Sequence, residues 1–285
     1  MSGSNSTTIS TYVLYCMLLL LAAPATMRAE DEVETPTATD NAATDTDDEV
    51  VPVTQVEEPK FKALPPLAKP WVRFGKDKDM VWINGKTKQV AVDGEVSLTK
   101  GYLEMFACIL GTKEHESVVA LRSKAFVIHA GLLAVGAKPG APAAWRPNYQ
   151  PANGPVIAVE VEWYDEKAEL KRTNAKQWVR DLKTKKAIEH DWVFGGSLFF
   201  VDPNTKKRYY RAEGGEVICV SNFPTSMMDL PIESSQANDE LGFEALTENI
   251  PTRRTPVRMY LTPKVKKKDS KGELKKEKKE ARVQK

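Results

Sequence analysis

Between Phe61 and Pro263 the chain consists of short β-branched and aromatic runs broken by turn signals, and one stretch alone stays apolar long enough for a multi-turn helix. Strands that do not alternate strictly with helices do not wind a parallel α/β sheet, so the pattern points to an α+β class. "MVWINGKTKQVAVDGEVSL" alternates apolar and polar residues around "NGK" and "DGE", which read as tight turns between strands. "YLEMFACIL" and "ESVVALRS" follow as two strands separated by "GTKEH". "KAFVIHAGLLAVGA" is apolar on nearly every face. With Ser123 as N-cap and Pro139 and Gly140 as a stop, it predicts a buried helix packed on a sheet. "PVIAVEVEWYD" with "AELKRT" reads as a hairpin, "NAKQWVRDL" as a short amphipathic helix, and "HDWVFGGSLFFVD", "KRYYRA" and "GEVICVS" as further strands. "TPVRMYL" would close the sheet. The expected fold is a single α+β domain over 61–263 with a largely antiparallel sheet, one buried helix and long irregular loops. No fixed-period repeat is present, which excludes a solenoid or propeller.

Both ends lie apart from that core. "TYVLYCMLLLLAAPA" is an apolar run shorter than the ~20 residues a membrane span requires, and it ends in small residues, as a signal peptide does. Residues 1–29 are therefore expected to direct export to the periplasm or cell envelope, with cleavage after Ala25 or Ala29; an uncleaved anchor is the alternative. Residues 30–60 are rich in carboxylates and threonine and lack the apolar residues needed to offset ordering, so they read as a disordered acidic linker. Residues 264–285 are a lysine-rich disordered tail. The formal net charge of +2 thus hides two oppositely charged ends. Outside the cytoplasm such a tail meets anionic lipid, wall polymer or the chain's own acidic linker rather than nucleic acid, or serves only to solubilise.

"MFACILGTKEHES", "HAGLLAVGAKPG", "QWVRDLKT", "WVFGGS" and above all "ICVSNFPTSMMDLPIESSQAND" resemble the YdjY-like domain family of exported bacterial proteins, over nearly the whole span from Trp71 to Pro263. The resemblance implies no established activity. Some members carry ferredoxin-type iron–sulfur segments, but this chain has no cluster of four closely spaced cysteines to match. No cofactor is implied.

Candidate chemistry begins in "KEHES". On a strand His115 and Ser117 would share one face as base and nucleophile, yet no orienting acid or oxyanion donor is identifiable, and a hydrogen-bonded structural histidine is the simpler reading. His129, with Phe126 and Leu133 at helical spacing, is placed on a core-facing stripe. Cys108, His115 and His129, with Glu104, form the sharpest metal hypothesis, although no CxxC or HExxH spacing supports it. In an oxidising compartment Cys108 and Cys219 either cross-link or remain buried free thiols.

Two long irregular segments are better binding candidates. Residues 137–155 carry Trp145, Arg146 and Tyr149 among prolines and glycines. Residues 221–243 carry Phe223, Met227 and Met228 beside the polar block Glu233, Ser234, Ser235, Gln236, Asn238 and Asp239, which either lines a ligand site or satisfies its own turns. The leading functional expectation is an exported envelope module that binds a ligand or protein without catalysis. The alternative is an envelope hydrolase or metal-dependent enzyme using His115 or His129 with the 233–239 loop.

Overall fold

The computed structural model describes residues 61–235 and 241–264. Its strands are β1 (Val72–Phe74), β2 (Val81–Asn84), β3 (Gln89–Val96), β4 (Met105–Ile109), β5 (Ser117–Leu121), β6 (Val156–Tyr164), β7 (Leu170–Asn174), β8 (Val179–Asp181), β9 (Trp192–Phe194), β10 (Phe199–Val201), β11 (Arg208–Tyr210), β12 (Ile218–Cys219), β13 (Met228–Asp229), β14 (Phe243–Ala245) and β15 (Pro256–Pro263). The one α-helix among the described residues is α1 (Ala125–Ala134).

Eight of these strands close into a barrel in the order β3, β15, β6, β9, β13, β12, β4, β5 and back to β3. This overturns the expected α+β fold with a largely antiparallel open sheet. The β12–β13 and β4–β5 seams are parallel, and the sheet has no free edge at β3 or β5 where they meet. β1 and β2 continue the sheet outward from β3, and β7 from β6. β10–β11 and β8–β14 are separate two-stranded ribbons.

The closing seam accounts for the difference. Asp93, Gly94 and Glu95 are not a turn but the middle of β3. One edge of β3 pairs with β15 along its length, while the other pairs with β2 up to Val92 and with β5 from Gly94 onward. Gly94 sits where the partner changes, and a methyl group added there would run into the Ala120 carbonyl. A glycine inside a strand pattern marks just such a close backbone approach. "NGK", in contrast, is a turn: Asn84 Oδ1 accepts from the Lys86 and Thr87 N–H groups at 3.0 and 3.2 Å.

β15 does not finish an open sheet at its edge; it lies between β3 and β6. Val257, Met259 and Leu261 alternate into the core with Val90, Val92, Val159 and Val161, all buried. Aromatic pairs line the interior: Phe106 tilts against Trp192 at 5.4 Å between ring centroids, and the partly buried Trp163 meets Trp178 edge-on at 5.1 Å. The alternate residues Arg258 and Tyr260 are also buried, because the chain before β1 covers them. Arg258 makes a two-pronged ion pair with Asp93, Nε to Oδ1 2.5 Å and Nη2 to Oδ2 2.9 Å, and donates from Nη1 to the Pro65 carbonyl at 2.7 Å. Removing either charge would strand its partner, a loss of about 3–5 kcal/mol.

Helix α1 packs on β2 and β3, with Gly131 against Val90. Its inward stripe is Ala125, Ile128, His129 and Leu132, whereas Phe126 and Leu133, expected on the same stripe as His129, are half exposed. Ser123 is not the cap. The first N–H groups, at Ala125 and Phe126, donate to the Glu213 carboxylate at 3.3 and 2.8 Å, and the Lys124 N–H donates to Asp79 at 3.0 Å. The helix ends at Ala134, before Pro139, and Gly136 (φ +96°) follows, with the Ala137 N–H returning to the Leu132 carbonyl in a Schellman-type closure. The helix expected in "NAKQWVRDL" is a 3₁₀ turn over Ala175–Trp178 that runs directly into β8.

Gly94→Ala is expected to destabilise the domain by about 3 kcal/mol, because backbone of β5 would have to move and no side chain can yield instead. Denaturant titration of the purified protein measures it; an unchanged midpoint would mean that the closing seam tolerates a side chain.

Candidate functional site

A buried polar knot lies where β12, β13 and the start of β4 meet. β12 and β13 are parallel neighbours joined by residues 220–227, too few for a helical crossover, so the connection folds back on itself. Asp229, fully buried at the end of β13, holds that loop. Its Oδ1 accepts from Asn222 Nδ2 at 2.9 Å and the Leu230 N–H at 2.8 Å; its Oδ2 accepts from Ser226 Oγ at 3.1 Å and the Phe223 N–H at 3.2 Å. Burial pushes the carboxyl up to about 7, against these four donors, which favour the charged form.

Asn222 carries the connection onward. Its Oδ1 accepts from the Tyr149 hydroxyl and the Ser234 N–H, each at 2.9 Å. The two irregular segments singled out in the sequence are therefore one assembly, tied through a single amide. Tyr149 stacks on Trp145 at 4.9 Å, and Trp145 and Arg146 stand on the surface. Burial, then the charges of Asp229 and Glu233, raise the Tyr149 hydroxyl to about 12, so it stays a donor.

Beside this knot is a group of three carboxylates around one lysine. The Glu104 carbonyl accepts from the Val220 and Ser221 N–H groups, which fixes it against the loop. Lys113 Nζ lies 3.2 Å from Glu116, 3.6 Å from Glu216 and 3.9 Å from Glu104. Burial, then the charge and hydrogen bond of Glu116, push Glu104 up to about 7. Burial works against the Lys113 ammonium, but Glu116, Glu216 and Glu104 together hold it above the usual lysine value. The group sets three carboxylates around one cation, with Glu104 the one whose proton is held most tightly.

The sequence-predicted catalytic and metal residues do not assemble. The His115 side chain is 78% exposed and approaches only Glu116, at 3.7 Å, within a 3₁₀ turn over Glu114–Glu116. Ser117 is fully buried at the start of β5. His129 is buried, its ring edge-on to Phe194 at 4.9 Å. The Tyr210 hydroxyl donates its one proton to the Gly196 carbonyl at 3.0 Å, so His129 Nδ1, 2.7 Å away, is the donor in that contact. Burial lowers the His129 pKa, and the ring is a neutral structural group. Among the described residues no group of three His, Cys, Asp or Glu side chains is placed to hold a metal, so Cys108, His115 and His129 form no site. Cys108 and Cys219 are buried free thiols rather than a disulfide: the register sets Cys219 opposite Met105, three residues from Cys108. Burial raises both thiols.

Of the polar block, Glu233 is exposed, Ser234 is buried with its N–H on Asn222, and Ser235 is half buried. Gln236, Asn238 and Asp239 lie outside the described residues, as do the expected leader, linker and lysine-rich tail. Asn222, Ser226 and Asp229 were not singled out from the sequence. The available signal was the lone carboxylate in "MMDLP", an acid at a strand position flanked by apolar residues.

The YdjY domain family matches this chain over residues 81–262, well over half its length. The chain belongs to the YdjY domain family. No curated protein and no solved structure matches it. The YdjY match runs from the first residue of β2 into β15, so it takes in every barrel strand, the Asp229 knot and the Lys113 group. It leaves out residues 61–80, which include the Pro65 carbonyl that accepts from Arg258.

Two outcomes follow for this YdjY domain. Asp229 and Glu104 both have folded-state pKa values above the ordinary carboxyl range, so folding favours their neutral forms. Their contribution is complete below about pH 4 and is lost as pH rises through about 7. Urea unfolding at pH 5.5 and 8.5 should show the protein about 2 kcal/mol less stable at the higher pH, and Glu104→Gln should shrink the difference. Asp229→Asn points an amide N–H₂ at donors that need acceptors and is expected to cost about 2–3 kcal/mol at pH 7. A variant with wild-type stability would show that the loop is held by something other than that carboxylate.

Proposed function

We propose that this YdjY domain is a non-catalytic binding module of the cell envelope, and that its recognition surface is the joined pair of loops carrying Trp145, Arg146, Tyr149 and Glu233. The observation that carries the reading is the Tyr149–Asn222–Asp229 chain of hydrogen bonds. A surface loop held to the barrel by a buried carboxylate presents Trp145 and Arg146 in one fixed arrangement, which lowers the entropic cost of binding. Aromatic and arginine side chains displayed on rigid backbone are the residues that anchor protein and ligand contacts.

The rival enzyme reading asks for a base and a nucleophile within hydrogen-bond reach. His115 is solvated, His129 is committed to Tyr210, and Ser117 is enclosed. The apolar leader-like run at the start of the sequence supports the envelope assignment.

A photo-crosslinking residue at position 145, introduced into the full chain in its native host, tests both parts. Expected is a discrete crosslinked species in the envelope fraction that is absent when the same probe replaces the exposed Lys167 on the β6–β7 turn. Crosslinking that is equal at both positions, or confined to cytoplasmic proteins, would overturn the proposal.

A further inference from the structure

A second surface, formed by α1 and the β10–β11 ribbon, has an apolar character that the fold does not use. The sequence of α1 holds only one polar side chain, His129, and that one faces inward. A helix apolar on every side is ordinarily buried on every side. Here the outer face is open, with Phe126 50% and Leu133 46% exposed. The β10–β11 ribbon extends this face. Phe126 meets Tyr210 edge-on at 6.1 Å, and Tyr210 meets Phe199 at 5.1 Å, so the apolar surface is continuous from helix to ribbon.

The ribbon's register sorts its residues. Phe199 pairs with Tyr210, Phe200 with Tyr209 and Val201 with Arg208. Tyr210 is buried toward His129 while Phe199, on the same face, stays 43% exposed, and the opposite face presents Phe200 and Tyr209. These two are 45% and 48% exposed, and Leu198, beside them, is 49% exposed. From Leu198 to Arg211 the cations are Lys206, Lys207, Arg208 and Arg211, against one carboxylate, Asp202, which is occupied by the N–H groups of Asn204 and Thr205. Arg208 lies over the Phe199 ring at 4.1 Å, and Arg211 over Phe200 at 5.9 Å.

We infer that the β10–β11 ribbon and the outer face of α1 form a docking surface for an anionic phospholipid bilayer. Aromatic and aliphatic side chains enter the headgroup boundary while the flanking lysines and arginines pair with lipid phosphates. Tyrosine at the rim suits the interface, with its ring in the apolar layer and its hydroxyl in water. Charge complementarity selects this occupant: an uncharged apolar partner would leave four cations without a counterpart.

The test uses the full chain and vesicles of phosphatidylglycerol with phosphatidylethanolamine, compared with vesicles of phosphatidylcholine alone. Because residues 264–285 are also cationic, co-sedimentation is run at about 0.5 M salt, which screens contacts that are purely electrostatic. Expected is retained association of the wild-type chain with the anionic vesicles, reduced at least about tenfold by Phe126→Asp with Phe200→Asp, since two apolar insertions are lost. Because that pair of changes can disturb folding, Phe200→Trp supplies an independent readout: its added fluorescence should shift to the blue with anionic vesicles and not with phosphatidylcholine. Equal sedimentation of wild type and a folded double variant, or an unshifted Trp emission, overturns the inference. Absence of vesicle binding together with a self-association abolished by Phe200→Asp overturns it in favour of a second copy of the chain.

Discussion

Closure of the barrel depends on one backbone contact, the approach of β3 to β5 at Gly94. An open sheet of this sequence would leave a row of unpaired N–H and C=O groups on β5 and on half of β3, the kind of edge that recruits other chains. By dividing one edge of β3 between β2 and β5, the fold satisfies both strands, and α1 packs on the face of β2 and β3 that carries Ile83 and Val90. The division needs a residue without a side chain where the two partners diverge.

Polar groups buried by that closure are matched almost one to one. Asp93 takes Arg258, Asp229 takes four donors, and the His129–Tyr210–Gly196 relay fixes a tautomer. These contacts differ in consequence. Arg258 and Asp93 join β15 to β3 and to the chain that precedes β1, whereas Asp229 fixes loop geometry and so sets what the surface can display. Acid groups next to the loop hold protons near neutrality, and the same burial that orders the segment makes its stability sensitive to pH.

Much of the strand inventory was legible, because alternation in "TPVRMYL" and "PVIAVEVEWYD" follows directly from one face meeting the core. Closure was not legible. Whether β4 and β5 run parallel, and whether β3 meets β5, depends on contacts between strands, which alternation does not encode. "DGE" carried a turn composition in a strand position, and there the tertiary contact prevailed over local preference. The helix was legible but its orientation was not: apolar on all sides, it offered no stripe to choose between Phe126 and Ile128. As to the site, both loops stood out by composition, and Tyr149 was named, but Asn222 and Asp229 were hidden among apolar neighbours. The histidines attracted attention by rarity alone, and their surroundings assign them to solvent and to packing.

β15 comes last among the strands and lies between β3 and β6. Until it arrives, the earlier strands have no common partner and both neighbouring edges stay open. The barrel is therefore a structure that cannot be completed piecemeal as the chain emerges: β3 has β2 and β5, and β6 has β7 and β9, but one edge of each must wait for nearly the whole domain to be synthesised. Closure of the barrel thus awaits β15, the last strand among the described residues, and the length of that wait is written into the strand order.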